Sequence, residues 1–234
     1  DFIAEARARG AACAVCEKPP GTEIPYILVP DAHEALALCA AVWYGTPAGK
    51  MTLVGVTGTN GKTTVTCLIK QLLERTCGAK VGLIGTNQNL IGSEVLPADR
   101  TTPDALTVQR LLARMADAGC TYAVMEVSSH ALVQKRVDGI RFHTGVFTNL
   151  TQDHLDYHGT MEEYCGAKSL LFDRCGIACV NGDDPWTERL LARFSGTRFT
   201  FGQGLTNDLV GWRARYENDR VRFTACTDLD HEET

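Results

Sequence analysis

The chain has 234 residues, 44% of them hydrophobic and 22% charged, enough to bury a sizeable core without disulfide staples. Its net charge of −5, with 23 Lys and Arg scattered along the chain, argues against a general nucleic-acid binder. The longest apolar run, Ala35–Tyr44, is far too short to span a bilayer, and Asp1-Phe2-Ile3 lacks the features of a secretory signal, so a cytoplasmic location without membrane insertion is expected.

Residues 1–10 read as a helix, 11–15 and 26–29 as short strands, and 31–44 as a helix opened by Asp31 with Glu34 three residues on. Gly45-Thr46-Pro47-Ala48-Gly49 is a small-residue break and the natural boundary between two domains, 1–46 and 50–234. A buried strand is predicted over 51–57, a helix over 62–76 ending at Gly78, and a strand over 80–84. A loop then runs to Arg100, and Thr102-Pro103 opens another helix. Tyr122–Val127 and Thr144–Leu150 read as buried strands, with a short helix over Ser128–Arg136 between them. Thr160-Met161-Glu162-Glu163 is a capping box whose helix carries Lys168, and strands near 177–180 and 197–201 precede a hairpin about Asn218-Asp219. Alternating strands and helices predict an α/β fold: a mostly parallel sheet flanked by helices, preceded by part of a smaller α/β domain.

Ten cysteines are many for such a chain. Cys13-x2-Cys16 and Cys175-x3-Cys179 lack a second pair at zinc-site spacing, and Cys39, Cys67 and Cys120 fall within or at the end of apolar segments. They read as small buried hydrophobes in a reducing compartment.

Leu53–Thr64 carries the strongest chemical signal, a strand running through Gly58-Thr59-Asn60-Gly61-Lys62-Thr63-Thr64 into a helix. Backbone N–H groups of such a turn cradle phosphate oxygens, with Lys62 placed for the outer phosphates and Thr63 for Mg2+. The strict P-loop pattern wants Gly where Val56 stands. ATP or another nucleoside triphosphate is the expected ligand. Glu126 ends an apolar strand, where a carboxylate needs a cation, and Mg2+ is the ion a triphosphate brings. His154 and His158 stand four apart, but the stretch lacks the Glu of a zinc protease; a polar loop supporting a Mg2+-bound phosphate fits better. On composition and spacing alone Lys168 is an exposed helix lysine.

Three stretches together resemble the Mur ligases: Thr57–Thr64, Met125-Glu126-Val127-Ser128-Ser129-His130-Ala131-Leu132, and Phe147–Tyr164 with its Thr148-Asn149-Leu150-Thr151-Gln152-Asp153-His154 core. Within the family the likeness is to the member adding the third residue of the peptidoglycan peptide. The resemblance implies an ADP-forming, carbon–nitrogen bond-forming ligase that joins an amino acid to UDP-N-acetylmuramoyl-L-alanyl-D-glutamate through an acyl phosphate, with meso-diaminopimelate favoured over L-lysine. It implies that 1–46 closes the UDP-substrate domain and 50–234 is most of the ATP domain, in a monomeric fragment inactive alone. By motif, Gly58, Thr59, Asn60, Gly61, Lys62, Thr63 and Thr64 would bind ATP; Thr63, Glu126, His154 and a carbamylated Lys168 would serve Mg2+. Lys62, Glu126, His154 and Lys168 would form the catalytic set, and Thr101, Thr102, Ser128, Gln134 and Arg136 would hold the muramoyl dipeptide. Folylpolyglutamate synthase shares the phosphate turn and is the alternative ligase. A nucleotide- and substrate-binding module without ligase activity is the alternative from another class.

Overall fold

The structure is a computed structural model that describes residues 2–217 and 220–227. Its first part contains α1 (Ile3–Ala8), β1 (Ala14–Cys16), β2 (Tyr26–Leu28) and α2 (Ala32–Trp43), with β1 and β2 paired in parallel as a small separate sheet. The first strand lies at 14–16 rather than 11–15. Asp31 caps α2 by accepting the Glu34 amide at 2.9 Å, whereas the Glu34 side chain reaches Lys135 instead of closing the box. At the break that follows, Gly45 and Thr46 take positive φ (69° and 49°) ahead of a 3-10 turn over Pro47–Lys50.

The second part begins with β3 (Thr52–Thr57), α3 (Lys62–Cys77) and β4 (Val81–Ile84), and Gly78 ends α3 at φ 59° as expected. Where a plain loop was expected, β5 (Asn89–Ile91) and β6 (Glu94–Leu96) form a tight antiparallel hairpin around Gly92 at φ 60°. The next helix, α4 (Ala105–Asp117), starts later than predicted because Asp104, not Thr102, is its cap, accepting the Thr107 amide at 3.0 Å. Thr102 is committed elsewhere: its hydroxyl donates to the Glu126 carbonyl at 2.8 Å.

The chain continues through β7 (Tyr122–Glu126), α5 (Ser129–Val133), β8 (Phe142–Phe147), α6 (Leu155–His158) and α7 (Met161–Ser169). It then adds β9 (Cys175–Asn181), α8 (Thr187–Leu190), β10 (Thr197–Gly202), β11 (Leu209–Glu217) and β12 (Arg220–Thr227). β8 starts and ends before the predicted 144–150. β11 and β12 pair antiparallel, and the predicted turn residues Asn218 and Asp219 lie outside the described residues.

One ten-stranded sheet results, ordered β12-β11-β10-β9-β8-β3-β7-β4-β5-β6, antiparallel only at β12 and in the β4-β5-β6 edge. Side chains alternate through it. Leu53, Met125 and Phe147 join the larger core under α4, while Val56, Val81, Val124 and Val146 form a second core with α3 side chains Val65, Ile69 and Leu73. Burial of both faces explains why these strands read as continuous apolar runs. β3 lies between β7 and β8, so three parallel strands end side by side at one edge, where ligands of open α/β sheets collect. All ten cysteines are free; Cys120 is buried as expected, but Cys39 is exposed on α2, against the reading of it as a core residue. Among the described residues no helix is long and apolar enough to cross a membrane.

Candidate active site

The turn after β3 is shaped by glycine. Gly58 sits at φ 147° and Gly61 at φ 86°, and a Cβ on Gly58 would lie 1.9 Å from the Thr148 hydroxyl. That closeness reflects a clasp between this turn and the loop leaving β8. Thr59 N–H donates to the Asn149 carbonyl (2.8 Å), and the Asn149 amide both accepts from Asn60 N–H (3.0 Å) and donates to the Asn60 carbonyl (3.1 Å). The Thr148 hydroxyl donates to the same carbonyl at 2.7 Å, and Thr59 Oγ1 accepts from the Thr151 amide at 3.0 Å. With the Thr59 and Asn60 amides engaged, the N-terminal amides of α3 are the groups of this turn that could meet an anion.

Lys62 arches back over the turn, its Nζ donating to the Gly58 (3.0 Å) and Thr59 (2.9 Å) carbonyls, and burial lowers its pKa. A cavity of about 310 Å3 opens in front, lined by residues 59–64, Thr86, Thr101 and Glu126. A larger one, about 570 Å3, lies between the β5–β6 hairpin and α4 and contains none of the predicted site residues.

Glu126 is 1% exposed at the end of β7. The Thr63 hydroxyl stands 3.0 Å from both carboxylate oxygens; Thr86 donates its amide (2.8 Å) and its hydroxyl (2.9 Å). Among the described residues no cation lies within ion-pair distance of Glu126; its contacts are neutral donors, with the charge of Lys62 acting on it from farther off. A buried carboxylate beside hydroxyl oxygens is the donor set of a hard cation. No three His, Cys, Asp or Glu side chains among the described residues converge as a metal cage.

Lys168 corrects the composition-based reading outright. It is 1% exposed, donates to the Gly58 carbonyl at 2.9 Å and lies 4.3 Å over the Tyr164 ring. Burial, helped by the charge of Lys62, lowers its pKa to about 7. Helix α7 thus carries a buried amine of lowered pKa to the underside of this turn.

The two histidines do not share a helix face. His154 precedes α6 in the left-handed region (φ 51°), while His158 is buried with Nε2 2.9 Å from Ser129 Oγ. His130 stands between them, ring centroids 5.0 Å from His154 and 5.4 Å from His158, and burial lowers the pKa of both His130 and His158. Glu126 bonds to Thr63 and Thr86, so His154 and Glu126 occupy different contact sets.

Beside this cluster, Ser128 caps α5 by accepting the Ala131 amide at 3.2 Å and lies 3.4 Å from Thr102 Oγ1. Arg136 donates from Nη1 to the Thr102 carbonyl (2.8 Å) and from Nε to Gln134 Oε1 (3.0 Å), and burial, with Arg100 nearby, lowers its pKa. The Thr101 hydroxyl is 3.0 Å from that of Thr86, which bonds Glu126, so the chain of contacts runs from Arg136 to the cavity. Thr86 and Asn149 were missed as site residues; each stands just past the carboxyl end of a buried strand, the signal that would have found them.

The Mur ligase middle domain model matches residues 56–233. The chain belongs to the Mur ligase family. A UDP-N-acetylmuramoyl-L-alanyl-D-glutamate–2,6-diaminopimelate ligase of Geobacillus kaustophilus (strain HTA426) is 44% identical over 97% of this chain and 48% of its own length. The protein of the same name from Gloeobacter violaceus (strain ATCC 29082 / PCC 7421) is 51% identical over 97% of the chain and 47% of its length. The chain therefore spans about half the length of the curated relatives it matches. A solved structure of a UDP-N-acetylmuramoyl-L-alanyl-D-glutamate–2,6-diaminopimelate ligase superposes with a TM-score of 0.84 at 29% identity, covering 97% of this chain and 48% of that one. A Mycobacterium tuberculosis folylpolyglutamate synthase complexed with ADP and AMPPCP superposes at 0.64 with 16% identity over 82% of this Mur ligase chain and 51% of its own, a likeness of fold alone.

Proposed function

We propose that this chain is the nucleotide- and substrate-holding part of a ligase that joins meso-diaminopimelate to UDP-N-acetylmuramoyl-L-alanyl-D-glutamate at the expense of ATP. The observation that carries the reading is a glycine-shaped phosphate turn whose first helical hydroxyl, Thr63, bonds a buried strand-end carboxylate, Glu126. The relatives at 44% and 51% identity carry that substrate pair in their names. Residues 1–46 would close the domain that holds the UDP end, and 50–234 would be the ATP domain.

In this mechanism the α3 amides and Lys62 bind the triphosphate, with Lys62 leaving the Gly58 and Thr59 carbonyls for the outer phosphates. Glu126 and Thr63 would hold Mg2+, which when bound would supply positive charge against the triphosphate. Arg136 turns its fork to the D-glutamyl carboxylates, with Thr101, Thr102, Ser128 and Gln134 fixing the peptide around it. Such a carboxylate attacks the terminal phosphorus, ADP departs, and an amine displaces phosphate from the acyl phosphate. Positioning and cationic charge supply the catalysis, because a carboxylate approaching a triphosphate is otherwise strongly repelled. Lys168, whose pKa burial lowers to about 7, is competent when neutral to add CO2 through Nζ, losing one proton and becoming an anionic carbamate suited to a metal.

The test takes two preparations. The 234-residue chain is expected to bind ATP and the UDP-muramoyl dipeptide in calorimetry but to release no tripeptide. The full-length protein, assayed with meso-diaminopimelate and L-lysine in parallel, is expected to use the former. Phosphate release stimulated by a folate and indifferent to the muramoyl dipeptide would overturn the reading.

A further inference from the structure

Helix α5 ends in a Schellman motif occupied by an unusual residue. Arg136 N–H bonds the Ala131 carbonyl (2.9 Å) and Lys135 N–H bonds the Leu132 carbonyl (3.2 Å), which places Lys135 at the left-handed position, φ 54°. Glycine or asparagine normally fills that place, because a side chain there is strained. Here the strained residue stands between Gln134 and Arg136, the two side chains that face each other at 3.0 Å on the dipeptide flank.

The Lys135 side chain leaves the turn in the direction of the first part of the chain. Its ammonium pairs with Glu34 at 2.5 Å and with Asp31 at 3.1 Å, the two carboxylates at the N-terminus of α2. Lys135 is 31% exposed in its side chain, and the two pairs form a three-charge network rather than a lone surface contact. Its pKa is raised by the bonds to Glu34 and then Asp31. The network crosses the break at residues 45–49 and joins the first part of the chain to the turn that aims Arg136.

We propose that Lys135 is a positioning residue: its ion pairs with Asp31 and Glu34 fix the α5 terminal turn, and through it the direction of the Arg136 fork, according to where the first part of the chain is docked. Strain at a left-handed lysine persists because the two carboxylates over-determine it. The consequence is that dipeptide recognition depends on the first part of the chain even through residues that never touch substrate. This inference rests on the proposed dipeptide site.

Two variants separate the cation from the turn. K135G supplies the preferred residue at the left-handed position and removes the ammonium; D31N/E34Q keeps the Asp31-type cap and the lysine but removes the carboxylates. Affinity of the 234-residue chain for the UDP-muramoyl dipeptide, in the presence of a nonhydrolysable ATP analogue, is expected to fall roughly five- to tenfold in each, with nucleotide affinity unchanged. Combining them is expected to add less than twofold, because both break the same network. A purely structural role predicts the opposite for K135G, equal or better binding with a firmer turn. Dipeptide affinity unaltered in K135G, or losses that multiply in the combination, overturns the inference. Amide hydrogen exchange needs no substrate: in D31N/E34Q the Lys135 and Arg136 amides are expected to exchange about three- to tenfold faster, and no change there overturns it. Should the parent chain fail to bind dipeptide at all, the functional reading falls and the exchange measurement alone decides the inference.

Discussion

The turn at residues 57–64 follows β3 and the turn at residues 134–136 follows α5, the short helix after β7, yet they are held by different means. The phosphate turn is gripped at its main chain by several bonds: Thr59 N–H goes to the Asn149 carbonyl, both Asn60 main-chain groups go to the Asn149 side chain, and the Gly58 carbonyl accepts from two lysines, one of them fully buried. The dipeptide flank is held through side chains, with Arg136 resting on Gln134 and the Thr102 carbonyl and Lys135 reaching to partly exposed carboxylates. A turn gripped at its main chain by several converging bonds opens only when they are lost together, whereas single side-chain pairs near solvent rearrange cheaply. On the proposed function, a site built this way would keep its nucleotide pocket ready and set its substrate pocket by docking.

The strongest way to break that comparison is to intrude on the clasp. In Gly58→Ala the new Cβ lies 1.9 Å from Thr148 Oγ1 at a φ of 147° that side chains rarely adopt. Strain and overpacking together are expected to cost roughly 3–5 kcal/mol and to weaken nucleotide binding by about 100-fold or more. Thermal unfolding and nucleotide titration check both. A variant that unfolds normally and binds ATP like the parent would mean the turn is pliable, and the contrast with the dipeptide flank would vanish.

How much of this was legible depended on whether the signal was local. β3, the Gly58–Thr63 turn and α3 were readable because an apolar strand, two glycines and a helix start fall in one short stretch. Asp31 as a cap was readable for the same reason. The β5–β6 hairpin was not, since three-residue strands carry almost no periodic signal and only Gly92 marks the turn. Thr102 looked like a cap because Thr-Pro is a helix start; the hydroxyl is instead spent on the Glu126 carbonyl, a long-range partner that no window of sequence contains. Lys168 shows the limit most plainly. Helix α7 has no apolar stripe to declare a buried face, and only the packing of Tyr164 and Gly58 around Nζ makes this lysine unlike any other.

Lys168 also gives the second test, of intermediate size. Its folded pKa of about 7 lies below the 10.5 of an ordinary lysine, so between those values the unfolded chain binds more protons. Stability therefore rises with pH across that window, and below pH 7 the penalty of the buried cation is present in full. Lys168→Met removes the titrating group. It is expected to be more stable than the parent at pH 7 by about 2–3 kcal/mol, the desolvation penalty less the lost bond to Gly58, and to show a flatter pH profile. Denaturant unfolding at pH 7 and pH 10 reads both quantities. A variant that is less stable at both values would make the ammonium a structural support, and the readiness of the nucleotide side would have another source.

The smallest expected effects sharpen the contrast most directly, because they compare one amide side chain on each flank. Asn149→Ala removes the pair of bonds at 3.0 and 3.1 Å that fix Asn60, while Thr59 stays held by the Asn149 main-chain carbonyl. Losing two partly solvated bonds costs about 1–2 kcal/mol, read as a roughly tenfold fall in nucleotide affinity. Gln134→Ala frees the Arg136 guanidinium from one acceptor and leaves the bond to the Thr102 carbonyl. Its stability is expected within about 0.5 kcal/mol of the parent, with nucleotide affinity unchanged. The two amides therefore separate by which ligand notices their loss. If Gln134→Ala weakened nucleotide binding as much as Asn149→Ala, the Arg136–Thr102–Glu126 contacts would be stiff enough to carry strain across the cavity. The two flanks would then act as one rigid wall, with docking of the first part of the chain felt at the phosphate turn as well.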